Sequence, residues 1–182
     1  MRAVPLAIPE VLRIEPQVFT DARGDFMETW RANQYAAAGI PATFVQDNQS
    51  RSARWVLRGL HYQVRQLQGK LVRAITGEIF DVAVDMRRAS PTFGRWVGAR
   101  LSAENRHALW IPPGFAHGFL SLADDTLVAY KVTDYWAAEW DRTLAWNDPQ
   151  VAIEWPLPAG MQPIMSDKDA RGALLAAAEL PP

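Results

Sequence analysis

The sequence contains no cysteine, which excludes a disulfide framework, a thiolate metal site and a cysteine nucleophile. No apolar run reaches the length needed to cross a bilayer, and the N-terminus lacks the basic-then-apolar order of a signal peptide. The net charge is only -1, whereas bulk binding to nucleic acid or anionic membrane needs a basic excess. We therefore expect a cytoplasmic protein without nucleic-acid or membrane partners, in which any anion is held by a local cluster of cations.

The composition is that of a globular protein, with 49% hydrophobic and 21% charged residues. No internal repeat, linker or low-complexity tract divides the 182 residues, so we predict a single domain over residues 1–182. Eight tryptophans and thirteen prolines are spread between short strand-like runs, which favours an all-β fold over a helical one.

The middle of the chain predicts a β-hairpin, with strands at 71–76 and 79–85 and a turn at Gly77-Glu78. Further strands are predicted at 95–101, 108–111, 117–122, 127–132 and 153–155. Short strands separated by turns within one domain indicate a sandwich or a jelly roll.

The N-terminal part has prolines that disfavour central strands, so residues 1–20 are predicted to form edge strands or an arm. A turn at 21–24 follows. Phe26, Glu28 and Trp30 then alternate and predict one face of a strand, since side chains alternate with period two.

Two helices are predicted, a short one at 33–39 and a longer C-terminal one at 170–179. Asn33 can cap the first helix and Gly39 can end it. Residues 44–50 begin apolar and become rich in amides. They fit either a loop or a hydrogen-bonding surface for a base or a sugar, because amides both donate and accept.

Two histidines next to glycine-containing turns are the first candidates for chemistry: His61 and His117. Metal-binding cupin barrels combine a His-x-His pair, a nearby Glu and a later His. Here Gln63 stands where the second histidine of the pair would be, and two imidazoles without a carboxylate hold a divalent ion poorly. We therefore expect a cupin-like barrel with no metal, whose histidines are free for acid/base work.

Other candidates have structural and functional readings that the sequence leaves open. Arg58 and Lys70 lie near His61 and suit an anionic substrate, although Lys70 also fits a surface lysine. Tyr130 is either a packed ring or a proton donor at the barrel mouth. Asp169 either closes a capping box with Ser166 or orients His61.

The order of motifs along the chain resembles the dTDP-4-dehydrorhamnose 3,5-epimerases of nucleotide-sugar metabolism, from about residue 5 to residue 175. Each motif alone is weak, but all of them in order are highly specific. The motifs are DARGDFME (21–28), FVQDN (44–48), VLRGLH (56–61), QGKLVR (68–73), FDVAVD (80–85), SPTFG (90–94), LSAEN (101–105), IPPGFAHGF (111–119), WNDP (146–149) and SDKD (166–169).

The resemblance implies a metal-free, cupin-like jelly-roll barrel without a cofactor, with a few short peripheral helices and a C-terminal helix. It implies a homodimer that exchanges N-terminal strands. It also implies a dTDP-4-keto-6-deoxy sugar as substrate, which loses and regains a proton at each of the two carbons beside its ketone. Such a carbon acid needs a positioned base and a group that stabilises the enolate oxygen.

By the same resemblance, His61 is the base, Asp169 its partner, and Tyr130 the acid that returns the proton, while Lys70 lies near the developing oxyanion. The remaining residues implied to contact substrate divide between the two subunits. Those of the subunit that carries the base are Arg58 for the diphosphate, His117, Tyr135 on the thymine, Asp141 and Lys168. Arg23 and Glu28 are implied to reach the nucleotide from the other subunit, together with Gln46 and Asn48, and Phe26 is a further implied substrate contact.

The chain departs from the family pattern at two positions near the nucleotide and sugar. Trp136 stands where many relatives have a tyrosine, and Asp141 stands where a glutamate is usual. A relative that inverts only one carbon is therefore the alternative enzyme. A non-catalytic nucleotide-sugar-binding jelly roll ranks lower because His61 and Tyr130 are both present, and a metal-dependent cupin dioxygenase ranks lower still.

Overall fold

A computed structural model describes residues 1–40 and 43–182. In this part of the chain there are thirteen strands, two short α-helices and one 3₁₀ turn. The strands are β1 (Arg2–Pro5), β2 (Leu12–Glu15), β3 (Val18–Asp21), β4 (Gly24–Met27), β5 (Gln46–Ser52), β6 (Leu57–Gln63), β7 (Lys70–Thr76), β8 (Glu78–Asp85), β9 (Trp96–Ser102), β10 (Ala108–Ile111), β11 (Phe115–Ser121), β12 (Thr126–Val132) and β13 (Asp141–Thr143). The helices are α1 (Ala32–Ala37) and α2 (Asp167–Ala170), and the 3₁₀ turn is Leu175–Ala177.

The strands form two main antiparallel sheets that face each other. One sheet has the order β1-β2-β10-β7-β12-β5 and the other has the order β13-β6-β11-β8-β9, while β3 and β4 form a separate hairpin. Most neighbours in each sheet are not consecutive in the chain, as in a jelly roll, the exceptions being β1-β2 and β8-β9. The predicted all-β, cupin-like jelly roll is confirmed. The two strands predicted in the middle of the chain form as β7 and β8, but the predicted hairpin is wrong, because β7 pairs with β10 and β12 in one sheet and β8 pairs with β9 and β11 in the other.

The hydrophobic core lies between the two sheets, because successive residues of each strand point alternately into and out of the sandwich. Val72, Leu109, Phe115, Phe119 and Val128 belong to this core and are almost completely buried. The core fills only part of the barrel. Toward one end the inward positions become polar, and this end holds the pocket described below.

The predicted C-terminal helix at 170–179 is wrong. Helix α2 stops at Ala170, and only the 3₁₀ turn follows. The reason is tertiary packing: the Ala173 N–H donates to the Thr143 carbonyl and the Ala145 N–H to the Ala173 carbonyl, at 2.9 and 2.8 Å. Gly172 allows this approach, since a Cβ there would stand 2.8 Å from the backbone of Ala145.

Three other predicted elements also differ. Residues 153–155 form no strand; the Trp155 indole N–H donates to the Trp146 carbonyl at 2.8 Å instead. Strand β4 ends at Met27, so Glu28 and Trp30 do not share a strand face with Phe26. Of the two readings left open for residues 44–50, the loop is wrong for 46–50, because residues 46–52 form a strand.

The first helix is confirmed, with shifted bounds: it begins at Ala32 rather than at Asn33, and Arg31 occupies the N-cap position without a side-chain hydrogen bond. Gly39 follows the helix with a positive φ of 83°. Within the described residues, no helix is both long enough and apolar enough to pass through a bilayer.

Candidate active site

The polar end of the barrel contains two adjoining cavities of about 180 and 220 Å³. They share four lining residues, which are His61, Lys70, Tyr130 and Lys168. These come from β6, β7, β12 and α2, so both sheets and the C-terminal segment contribute to one site. The structure thus brings four of the predicted site residues to one place, while the roles assigned to them stay predictions.

The His61 imidazole is hydrogen-bonded to the Asp169 carboxylate, with 2.6 Å between Nε2 and Oδ1. Asp169 is buried, and its backbone N–H donates to Ser166 Oγ at 3.2 Å. Asp169 therefore has both of the roles that the sequence left open, in the cap of α2 and in orienting His61. Burial opposes ionisation of Asp169, but hydrogen bonds with His61, Ser166 and the Gly59 backbone outweigh it and lower the pKa of the carboxyl.

Lys70 is buried at the base of the pocket, and its Nζ donates to the His61 carbonyl at 3.2 Å. Burial lowers the pKa of Lys70 to about 8, although the nearby negative charges of Asp141 and Asp81 oppose the shift. No carboxylate within the described residues forms a direct ion pair with this ammonium. It is therefore placed to attract a negative charge that develops on a bound molecule.

Tyr130 lies on the inner face of β12, between Asn48 on β5 and Val72 on β7. Burial raises the pKa of its phenol, although the positive charge of Arg58 opposes the shift. The hydroxyl therefore remains protonated at neutral pH. This is the state that a proton donor requires.

A second imidazole–carboxylate pair lies beside the first, because His117 Nε2 and Asp81 Oδ1 are 2.7 Å apart. Both residues are buried, and burial lowers the pKa of His117 despite the Asp81 charge. The buried Oδ2 of Asp81 has no hydrogen-bond partner among the described residues. Asp81 was missed by the sequence analysis, although a carboxylate flanked by Phe80 and Val82 in an otherwise apolar stretch of strand is the signal that could have revealed it.

The cations and amides around the mouth form further contacts. Arg58 lines the cavity, and its guanidinium donates to Ser52 Oγ at 3.0 Å and to the Arg51 carbonyl at 3.1 Å. Lys168 forms an ion pair with Asp141. The Gln46 and Asn48 side chains, which are hydrogen-bonded to each other, line the same cavity as Trp136.

Three predicted residues lie outside the pocket of their own chain. Arg23 is paired with Asp21, and Phe26 is 66% exposed on the β3–β4 hairpin. Glu28 lies near Arg31 and Gln34. The predicted contact of Arg23 and Glu28 with the site of a second subunit, and that of Phe26 with the substrate, stay predictions.

Tyr135 is also exposed and is not among the residues that line the two cavities, although its neighbour Trp136 is. Gln63 and Gln68 line the pocket as well. In the sequence, Gln63 stands out only as a departure from the metal motif. Its position two residues after His61, on the same face of β6, was the signal for a place in the site. Within residues 1–40 and 43–182, no group of three or more His, Asp or Glu side chains could hold a metal ion.

Comparison with known proteins places this geometry in context. The family model described as dTDP-4-dehydrorhamnose 3,5-epimerase matches residues 5–177. The dTDP-4-dehydrorhamnose 3,5-epimerase of Pseudomonas aeruginosa is 57% identical over 180 residues, covering 98% of each chain.

Two solved structures are also similar. The dTDP-6-deoxy-D-glucose-3,5-epimerase of Legionella pneumophila, in complex with dTDP-4-keto-L-rhamnose, has a TM-score of 0.95 and 49% identity, covering 99% of this chain and 97% of the other. A 3'-monoepimerase of Streptomyces bikiniensis, in complex with dTDP-quinovose, has a TM-score of 0.89 and 34% identity, covering 97% and 91%.

Proposed function

This chain belongs to the dTDP-4-dehydrorhamnose 3,5-epimerase family, and we propose that it converts dTDP-4-dehydro-6-deoxy-D-glucose to dTDP-4-dehydro-L-rhamnose. The observation that carries the proposal is the 2.6 Å contact between His61 and Asp169, in a cavity that also contains Lys70 and Tyr130. The predicted family and class of enzyme are confirmed. The higher identity to a 3,5-epimerase, 57% against 34% for the 3'-monoepimerase, favours inversion at both carbons.

His61 is the base in the proposed mechanism. Its Nε2 is hydrogen-bonded to Asp169, so Nδ1 is the nitrogen left to accept the proton from the carbon beside the ketone. The negative charge of Asp169 stabilises the imidazolium that forms. The electron pair of the broken C–H bond moves onto the ketone oxygen, which becomes an enolate.

Lys70 stabilises the enolate oxygen. Its ammonium is buried and makes its hydrogen bond to a neutral carbonyl, so its charge is not cancelled by direct contact with an anion. In a cavity from which a bound sugar excludes water, such a charge interacts strongly with an oxyanion.

Tyr130 returns a proton to the carbon from the face opposite His61, which inverts the configuration. The electron pair of the enolate forms the new C–H bond and the ketone is restored. The phenolate is then reprotonated from solvent and the imidazolium of His61 loses its proton, so that the enzyme is ready for the second carbon.

The other site residues bind the substrate in this proposal. Arg58 and His117 contact the diphosphate and sugar, and Tyr135 stacks on the thymine. Lys168, Asp141, Gln46 and Asn48 border the sugar and nucleotide. The proposed enzyme is cytoplasmic, has one domain and binds no cofactor. It forms a homodimer in which the exchanged N-terminal strands bring Arg23, Phe26 and Glu28 to the partner's site. The exposure of Phe26 supports such a contact.

The test is incubation with dTDP-4-keto-6-deoxyglucose in heavy water, with a reductase to trap the product and mass spectrometry of the sugar. Deuterium at both carbons beside the ketone, with rhamnose trapped, is the expected result. Deuterium at one carbon would instead favour a single-carbon epimerase. Absence of deuterium would remove the roles given to His61 and Tyr130.

A further inference from the structure

The segment 134–137 lies at the mouth of the pocket and has no regular secondary structure. It carries the neighbouring exposed aromatic side chains Tyr135 and Trp136. An irregular backbone beside a cavity needs partners for its polar groups, because unpaired groups in such a place are costly. Here the partners are largely glutamine side chains.

Gln63 makes the largest number of these contacts. Its side-chain N–H₂ donates to the Tyr135 carbonyl at 3.2 Å and to the Gln66 carbonyl at 2.7 Å, and its Oε1 accepts from the Ala137 N–H at 2.7 Å. Gln63 is only 4% exposed, so these hydrogen bonds form in a place that water hardly reaches. The Gln63 amide is thus hydrogen-bonded to the backbone of the residues before and after Trp136, and it joins segment 134–137 to the loop after β6.

Two more glutamines complete the arrangement. Gln68 donates to the Asp134 carbonyl at 2.9 Å, and Gln46 Oε1 accepts from the Trp136 N–H at 3.2 Å. Gln46 belongs to β5 in one sheet and Gln63 to β6 in the other. Segment 134–137 is therefore hydrogen-bonded to both sheets at the mouth of the pocket.

We propose that Gln63 is a positioning residue, which fixes the backbone of segment 134–137 so that Tyr135 and Trp136 form a rigid wall for the nucleotide sugar. This inference rests on the proposed function, because it takes the cavity as the site of a nucleotide sugar. The hydrogen bonds of the Gln63 side chain all go to segment 134–137 and to the loop after β6. A wall fixed in advance loses less conformational entropy when the ligand binds, so Gln63 acts on substrate affinity rather than on proton transfer.

The test is Gln63→Met, which keeps the length of the side chain and removes its hydrogen bonds. The matched control is Gln49→Met, at an exposed position of β5 on the face that points away from the pocket. The expected results for Gln63→Met are a rise in KM for dTDP-4-keto-6-deoxyglucose and in the Kd for dTDP of about tenfold each, with kcat changed less than about threefold. Gln49→Met should leave all three values unchanged.

Amide hydrogen exchange measured by NMR supplies a readout that does not depend on turnover. The Ala137 amide should exchange roughly tenfold faster in Gln63→Met than in the wild type, since its acceptor is gone, while the Val72 amide in the core remains as slow. Unchanged Ala137 exchange, or a loss of kcat with unchanged KM and Kd, would overturn the positioning role. A wild-type protein that incorporates no deuterium into the sugar would overturn the proposed function instead, while Ala137 exchange would still decide whether Gln63 fixes the segment.

Discussion

His61 and His117 are cross-strand partners on β6 and β11, and each imidazole is hydrogen-bonded to a different buried carboxylate. Asp169 holds His61 from the C-terminal segment, whereas Asp81 holds His117 from β8 within the sheet. The two histidines therefore point into one cavity with fixed orientations. In the proposed mechanism these two pairs act together with Lys70 and Tyr130, and each group has a separate, testable role.

Asp169→Asn should keep the contact with His61 but remove the negative charge that stabilises the imidazolium. We expect kcat for sugar-proton exchange in heavy water to fall by about 10²–10⁴, as for a triad carboxylate. His61→Ala should abolish exchange of the sugar protons and therefore serves as the negative control. An Asp169→Asn enzyme with wild-type exchange rates would contradict the role of Asp169 as the partner of the base.

Tyr130→Phe removes the hydroxyl and keeps the buried ring. Because His61 remains, we expect proton abstraction to continue while return from the opposite face slows. With a substrate that carries tritium at the carbons beside the ketone, the amount of tritium released to water should then exceed the amount of rhamnose trapped by the reductase. In the wild type the two amounts should match. Full epimerisation by Tyr130→Phe would remove Tyr130 from the role of the acid.

Lys70→Met should raise stability while it reduces activity. The pKa of Lys70 is lowered from 10.5 in the unfolded chain to about 8 in the folded protein, a difference that corresponds to about 3 kcal/mol of unfavourable burial. Below pH 8 this cost is fully present. It declines between pH 8 and 10.5, where the folded protein has already released the proton, and vanishes above that range.

Chemical denaturation at pH 7 and pH 10 measures this effect. Lys70→Met should be the more stable protein at pH 7, and its advantage should shrink toward pH 10. Its turnover should fall by about 10²–10³ because the enolate loses its counter-charge. The wild-type kcat/KM, which reports ionisation of the free enzyme, should decline as pH rises through about 8. A Lys70→Met protein less stable than the wild type at pH 7 would show that the ammonium is not an unfavourable buried charge.

Asp81→Asn tests the second pair. Asp81 raises the pKa of His117 against the opposing effect of burial, so its replacement should lower that pKa further. NMR titration of the His117 ring protons measures the shift, with His107 as an internal reference that does not contact Asp81. We also expect kcat/KM to fall by about tenfold, because the imidazole loses the group that orients it. An unchanged His117 pKa in Asp81→Asn would contradict the role of Asp81 as the partner of His117.

The sequence by itself determined several strands of the barrel, among them β7, β8, β9, β10 and β12, because the alternation of side chains is a local property of an extended backbone. Tyr130 lies on a strand that the pattern of neighbouring residues predicted, Lys70 directly precedes another such strand, and the motifs identified the family. The glycines and prolines of IPPGFAHGF likewise predicted the turn that leads to His117.

Only the tertiary structure decided which distant segments meet. Asp169 is 108 residues from His61, and its contact depends on a C-terminal segment whose hydrogen bonds to residues 143–145 replaced the predicted helix. The roles of Asp81 and Gln63 emerged in the same way. An inward-facing polar side chain can be located from a strand pattern, but its hydrogen-bond partners are chosen by long-range packing, which no local pattern contains.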